Sequence, residues 1–230
     1  MTKTTRGAKA HGAIMSFWTD VPKTKEADFN GWYDREHLPE RVAVPGFRCG
    51  LRYVALRGKP RYMAFYEIDR PEVLSGKTYL GRLNDPTPWT KRIMRTVTGG
   101  ERIVYRPLVD LGLGHGGAVW SARFGSDAPA DKVESALGKR LEQLAGKLQR
   151  ARLWQSDVGL SDVDSEERRL RGDGPSPQTW CVLLEATSHA GIANALERHP
   201  LDKPLARAGL TGRPKTGHYR LMSVLRAGEY

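Results

Sequence analysis

The stretch from Phe29 to Phe47, FNGWYDREHLPERVAVPGF, sets a histidine beside a glutamate inside an amphipathic helical pattern. On a helix of 3.6 residues per turn, Phe29, Trp32, Tyr33, Glu36 and His37 stand at i, i+3, i+4, i+7 and i+8 and share one face. Pro39 disfavours helical geometry at Leu38, which places Glu36 and His37 in a last turn among unpaired carbonyls. A helix C-terminus and a nearby carboxylate both favour a cationic imidazole. The pattern therefore predicts a His37 pKa near or above neutrality. Such a histidine suits general acid or base catalysis, with Glu36 orienting it or sharing the role and Tyr33 beside it. The alternative is plain capping, with Glu36 and His37 paired to Arg35, Arg41 or backbone.

Residues that could hold a substrate follow at once. In RCGLRYVAL, strand alternation puts Arg48, Gly50 and Arg52 on one face, where two guanidinium forks flank a gap wide enough for a ligand anion. The competing reading is a solvated strand face. Trp89 in DPTPWT and Trp32 on the helix are candidate pocket walls. Tyr62, Tyr66 and Trp18 are weaker candidates for the same role, and any of these aromatics could equally be core.

The elements that must position these groups are written twice. A strand at Gly12–Val21 leads into the helix, strands Arg48–Leu56 and Arg61–Asp69 form a hairpin across RGKP, and a broken helical region from Pro71 ends in the strand ERIVYRPLV. After the glycine cluster GLGHGG, the order resumes. It runs through the strand GAVWSARF, the helix Ala130–Gln149, strands Arg150–Leu160 and Thr179–Thr187, a broken helical region Ser188–Leu210, and the strand HYRLMSVLRA. Each half is a ferredoxin-like βαββαβ unit, residues 1–111 and 112–230. Two such sheets, each with one bare face, can cover each other, which predicts an α+β fold: an intrachain pseudo-dimeric barrel with helices outside. The second hairpin carries a long charged loop, 161–178, expected as a surface excursion. The second helix turns only valine and leucine inward, without a Glu-His pair. One active site, in the first half, is expected.

The net charge of +11 comes from 37 basic and 26 acidic residues, and 25 of the basic residues are scattered arginines rather than one basic cluster. This favours an anionic small molecule over nucleic acid. Cys49 and Cys181 sit in apolar runs and no metal-ligand spacing exists, so neither metal nor cofactor is expected. Gly112, Gly114 and Gly117 match G-x-G-x-x-G but precede a strand, which removes the dinucleotide reading. No apolar run long enough for a membrane span and no leader pattern is evident, so a soluble cytoplasmic protein is expected, as monomer or homodimer.

WYDREHLPERVAVPGF, RYVAL, PRYMAFYEID and PTPWTKRIM together resemble the dimeric α+β-barrel superfamily, specifically EthD-like and related proteins with a Trp…Glu-His…Pro-Gly-Phe signature. The likeness covers Gly12–Val109 and is topological beyond. It implies a cofactor-independent enzyme using His37 on a small carbonyl or carboxylate substrate such as an aromatic ring-cleavage product, by isomerisation or lactone or ester hydrolysis. The alternatives are a cofactor-free oxygenase or polyketide cyclase of the same superfamily, a haem enzyme, or a non-enzymatic binding module.

Overall fold

The computed structural model describes residues 12–172, 174 and 176–229. The basic residues 1–11, and Asp173 and Pro175 within the 161–178 loop, lie outside the described residues. The first repeat runs β1 (Ala13–Asp20), α1 (Glu26–Trp32), a π-helical turn (Tyr33–His37), α2 (Leu38–Val42), β2 (Phe47–Gly58), β3 (Tyr62–Ile68), α3 (Lys77–Asn84), α4 (Pro88–Met94) and β4 (Thr98–Gly112). The second runs β5 (Ala118–Phe124), α5 (Ala130–Ala145), β6 (Arg150–Ser156), α6 (Val158–Ser161), α7 (Glu166–Arg171), β7 (Trp180–Ala186), α8 (His189–Arg198), α9 (Asp202–Arg207) and β8 (Lys215–Arg226). The hydrogen-bonded strand order, β1-β3-β2-β8-β5-β7-β6-β4, returns on itself, so the α+β fold is an eight-stranded closed barrel, as expected from the two repeats.

By contact the chain divides into two compact units that do not coincide with its halves. The first unit gathers Gly12–Tyr105, Ser156–Gln178 and residues from Tyr219 onward; the second gathers Arg106–Gln155 and Thr179–His218. The 161–178 loop therefore belongs by contact to the unit that carries His37. The strand expected to run to Leu160 stops at Ser156, because Asp157 accepts a hydrogen bond from Leu160 N at 3.1 Å and starts α6.

In the first unit β3 lies antiparallel between β1 and β2, and one face of this sheet meets the helices. Met15, Phe17, Ala64, Tyr66 and Ile68 pack there against Phe29, Trp32, Tyr33, Leu38 and Val42. Gly50 is required by this packing, since a Cβ would fall 2.5 Å from Leu38 Cδ1 and 2.8 Å from the Tyr66 ring. The second unit repeats the layering with Trp120, Ala122, Val182 and Leu184 against Val133, Leu137, Leu141 and Leu144. Among the described residues no helix is long and apolar enough to cross a membrane.

Candidate active site

The helix that carries His37 does not follow a uniform 3.6-residue period. Leu38 N donates to Tyr33 O, an i→i+5 bond that widens one turn into a π-helical segment. The wider turn changes which residues share a face. Trp32, Tyr33, His37 and Leu38 are buried, while Glu36 swings sideways. Its carboxylate accepts hydrogen bonds from Thr87 Oγ1 and, at 3.0 Å, from Thr90 Oγ1 at the start of α4. Trp32 Nε1 donates to the same Thr90 hydroxyl at 2.9 Å, so Glu36 ties α4 to the helix rather than orienting the imidazole.

The helix also continues through Pro39. Leu38 keeps helical angles and Pro39 enters in the first turn of α2, so His37 stands at no carbonyl terminus. Both premises of a raised pKa are gone. The ring is 6% exposed, tilted against Trp32 at 4.2 Å and edge-on at 5.1 Å to Tyr33, and Nδ1 has no hydrogen-bond partner. Burial first, then the charges of Arg41, Arg171 and Arg52, hold the imidazole well below its ordinary 6.5. The imidazole is therefore held neutral, not as the poised cation that the spacing predicts.

His37 opens on a narrow chamber, partly open to solvent, between the sheet and the helices. Met15, Phe17, Tyr66, Tyr79, Leu83 and Met94 supply apolar and aromatic wall, and Arg41, Arg102, Glu167 and Arg171 supply charge. Arg41 is 1% exposed and its Nη2 pairs with Glu167. Arg41 Nη1 makes no hydrogen bond, and its nearest carboxylate, Glu40, is 3.7 Å away. Tyr79 receives Arg102 Nε and Nη2 at 3.2 and 3.1 Å and donates to Met15 Sδ at 2.8 Å. Burial pushes the Tyr66 phenol well above its usual range and raises that of Tyr33 despite Arg52.

Glu167 and Arg171 come from α7, in the 161–178 segment. Ser165 Oγ accepts from Arg168 N at 3.3 Å to start this helix, and Gly172, at φ +70°, ends it in the left-handed region. Arg171 lies over the Phe17 ring at 5.3 Å. The stretch expected to be an excursion closes one side of the chamber.

The other residues singled out in the sequence lie elsewhere. A β-bulge between Phe47 and Cys49 breaks the alternation of β2, so Arg48 and Arg52 do not flank a common gap. Arg48 is half exposed and 3.5 Å from Asp69. Arg52 is buried, pairs with Asp34, donates to Asn30 Oδ1 at 2.8 Å and lies 4.2 Å over the Tyr33 ring, fastening α1 to the sheet. Tyr62 packs on Phe29 at 4.9 Å, beyond the chamber wall. Trp89 is half-buried outside it, donating to Asp28 at 2.9 Å beneath Arg35 and Arg92. Trp18 points to the opposite sheet face, edge-on to Tyr219 at 5.8 Å. Of the residues expected at the site, His37 and the weaker candidate Tyr66 line the chamber; Trp32 and Tyr33 clamp the His37 ring from behind.

No family model matches the chain, and no curated protein matches it either. Solved structures do match. An anthrone oxidase-like protein aligns at TM-score 0.68 and 12% identity over 95% of this chain and 94% of its own. A candidate monooxygenase of Fusobacterium nucleatum aligns at 0.59 and 8%, over 96% and 97%. One of Lactobacillus acidophilus aligns at 0.58 and 9%, over 96% and 99%. These likenesses do not single out the EthD-like branch. At such identities they establish the fold alone, a ferredoxin-like α+β barrel spanning the whole chain.

Proposed function

We propose that the chamber beside His37 is the active site of an oxygenase acting on an aromatic carbon acid or phenol. The observation that carries this reading is a neutral buried imidazole with an unpaired ring nitrogen, set among aromatic walls and arginines. A neutral imidazole can accept a proton at ordinary pH, and the positive charges around it favour the substrate anion formed. In this scheme His37 removes a proton from an activated C–H. The carbanion passes one electron to O₂, and the radical pair recombines through a C–O bond. The peroxide takes the proton back from His37 and loses water to leave a carbonyl, so that R₂CH₂ and O₂ give R₂C=O and H₂O. Arg41 Nη1, buried without a hydrogen bond, is the donor aimed at the developing oxyanion.

The same base would serve isomerisation or hydrolysis, the reactions the residues alone favour. The weight toward oxygen comes from what the structural neighbours are called, oxidase-like and monooxygenase. The test is oxygen consumption with 1,8-dihydroxyanthrone. The proposal expects uptake above the uncatalysed rate, lowered about 10²–10⁴-fold in His37→Gln. Uptake equal in the two proteins, or no uptake above the uncatalysed rate, contradicts it.

A further inference from the structure

A second cavity, open to solvent, adjoins the chamber within the same unit. The two share Leu83, Arg102 and Arg171 in their walls, so they meet across these three side chains. Their chemistry differs. Each has three arginines in its wall, and Arg102 and Arg171 are common to both; the inner chamber adds Arg41, Glu167 and an aromatic and thioether wall, whereas the outer cavity adds Arg168, Ser161, Ser165 and Ser176. Glu101 is its one carboxylate wall residue among the described residues.

The three guanidinium groups are not equivalent. Arg102 is saturated, since Nη1 donates to the carbonyls of Leu160 and Ser161, both at 3.0 Å, and its other donors go to Tyr79. Arg171 is turned inward, with Nη1 at 3.9 Å from Glu167 and 3.7 Å from Met94 Sδ. Arg168 uses only Nη2, toward Asp162 at 3.0 Å and Gly174 O at 2.9 Å. Its Nε and Nη1 donate to no described residue, and the side chain is 19% exposed at the cavity wall. Partly desolvated donors backed by two further fixed positive charges suit an anion.

We propose that this outer cavity is a carboxylate subsite, and that the substrate carries an anionic group held by Arg168 while its aromatic carbon lies beside His37. The assignment rests on the inner chamber being the reacting site, and it replaces Arg48 and Arg52 as the expected anion holders. Arg168 is here a binding residue; proton chemistry stays with His37.

Benzoate, with benzamide as the uncharged control, probes the subsite without needing turnover. Calorimetric titration should show benzoate binding at least about tenfold tighter than benzamide, with the difference shrinking as salt is raised. Arg168→Gln should bring benzoate down to the benzamide level. Equal binding of the two probes by the unaltered protein, no benzoate binding, or a preference for benzoate that survives Arg168→Gln would each overturn the subsite. Oxygen uptake is read separately. Benzoate discrimination without His37-dependent uptake overturns the oxygenase reading alone, whereas uptake without discrimination overturns the subsite alone.

Discussion

The two units solve the same packing problem, a helix laid on three antiparallel strands, with opposite results. In the second unit α5 is an uninterrupted helix of 16 residues, and Val133, Leu137, Leu141 and Leu144 fill the interface with aliphatic side chains. In the first the corresponding helix is broken by a π-helical turn. A buried imidazole stands in its inner face, and a chamber remains open beside the sheet. Across the sheets, Trp120, Ala122 and Leu184 of the second unit match the chamber-facing Met15, Phe17 and Tyr66 of the first. The leucine version shows that the fold asks for none of the polar groups. The α5 interface has no counterpart of His37 or of the Arg41–Glu167 pair, although the second unit buries a pair of its own, Arg152 with Glu185 at 3.3 Å.

The predictions set one copy against the other. Glu167→Ala removes the buried carboxylate that pairs with Arg41 and leaves it only Glu40 at 3.7 Å; the Arg41 and Glu167 side chains are under 5% exposed. Chemical unfolding should show a loss of about 3–5 kcal/mol. An unchanged denaturation midpoint would mean that α7 is peripheral to the first unit. Making the second copy resemble the first should fail. Leu141→His puts an imidazole into an aliphatic interface with no Trp–Tyr clamp, at a cost of about 2–3 kcal/mol, and a neutral result would show that the two interfaces are interchangeable. Gly50→Ala drives a methyl into Leu38 and Tyr66 and should cost about 1–3 kcal/mol, with a crystal structure showing the helix displaced from β2. A smaller effect concerns pH. His37 is held below 6.5 in the folded chain, so the unfolded chain binds the proton more readily. Stability is unaffected above about pH 6.5 and falls below it, by at most about 1.4 kcal/mol per pH unit until the folded pKa is reached. Urea unfolding at pH 7.5 and 5.5 should show this component, and His37→Gln should lack it.

Much of the fold was legible because its signals are local. Period-two strands, the leucine stripe of α5 and the glycine punctuation each report on a few neighbouring residues. The buried face that bears Trp32, Tyr33 and His37 was legible for the same reason. What stayed hidden depends on departures from a period or on distant partners. The π-helical turn carries no pattern of its own, and it moved Glu36 off the face assigned to it. The bulge at Phe47/Cys49 separated Arg48 from Arg52 in the same way, since one residue of slip exchanges the faces of a strand. Arg41 lies within the quoted stretch, yet its partner Glu167 is 126 residues away. The charged loop 161–178, expected as a surface excursion, hides the short helix α7. The signal that could have corrected this is its capping: Ser165 before the run and Gly172 after it mark a short helix, and a helix needs a surface to lie on.

The proposed mechanism needs His37 to be a neutral base in the working protein. It is tested most directly by following the His37 ring nitrogens by NMR from pH 8 to pH 5, with His37→Gln to assign the signal. The account predicts a neutral imidazole throughout the range above 6.5 and a titration midpoint well below that value. A midpoint at or above 6.5 would contradict it and restore the cation that the spacing alone predicts.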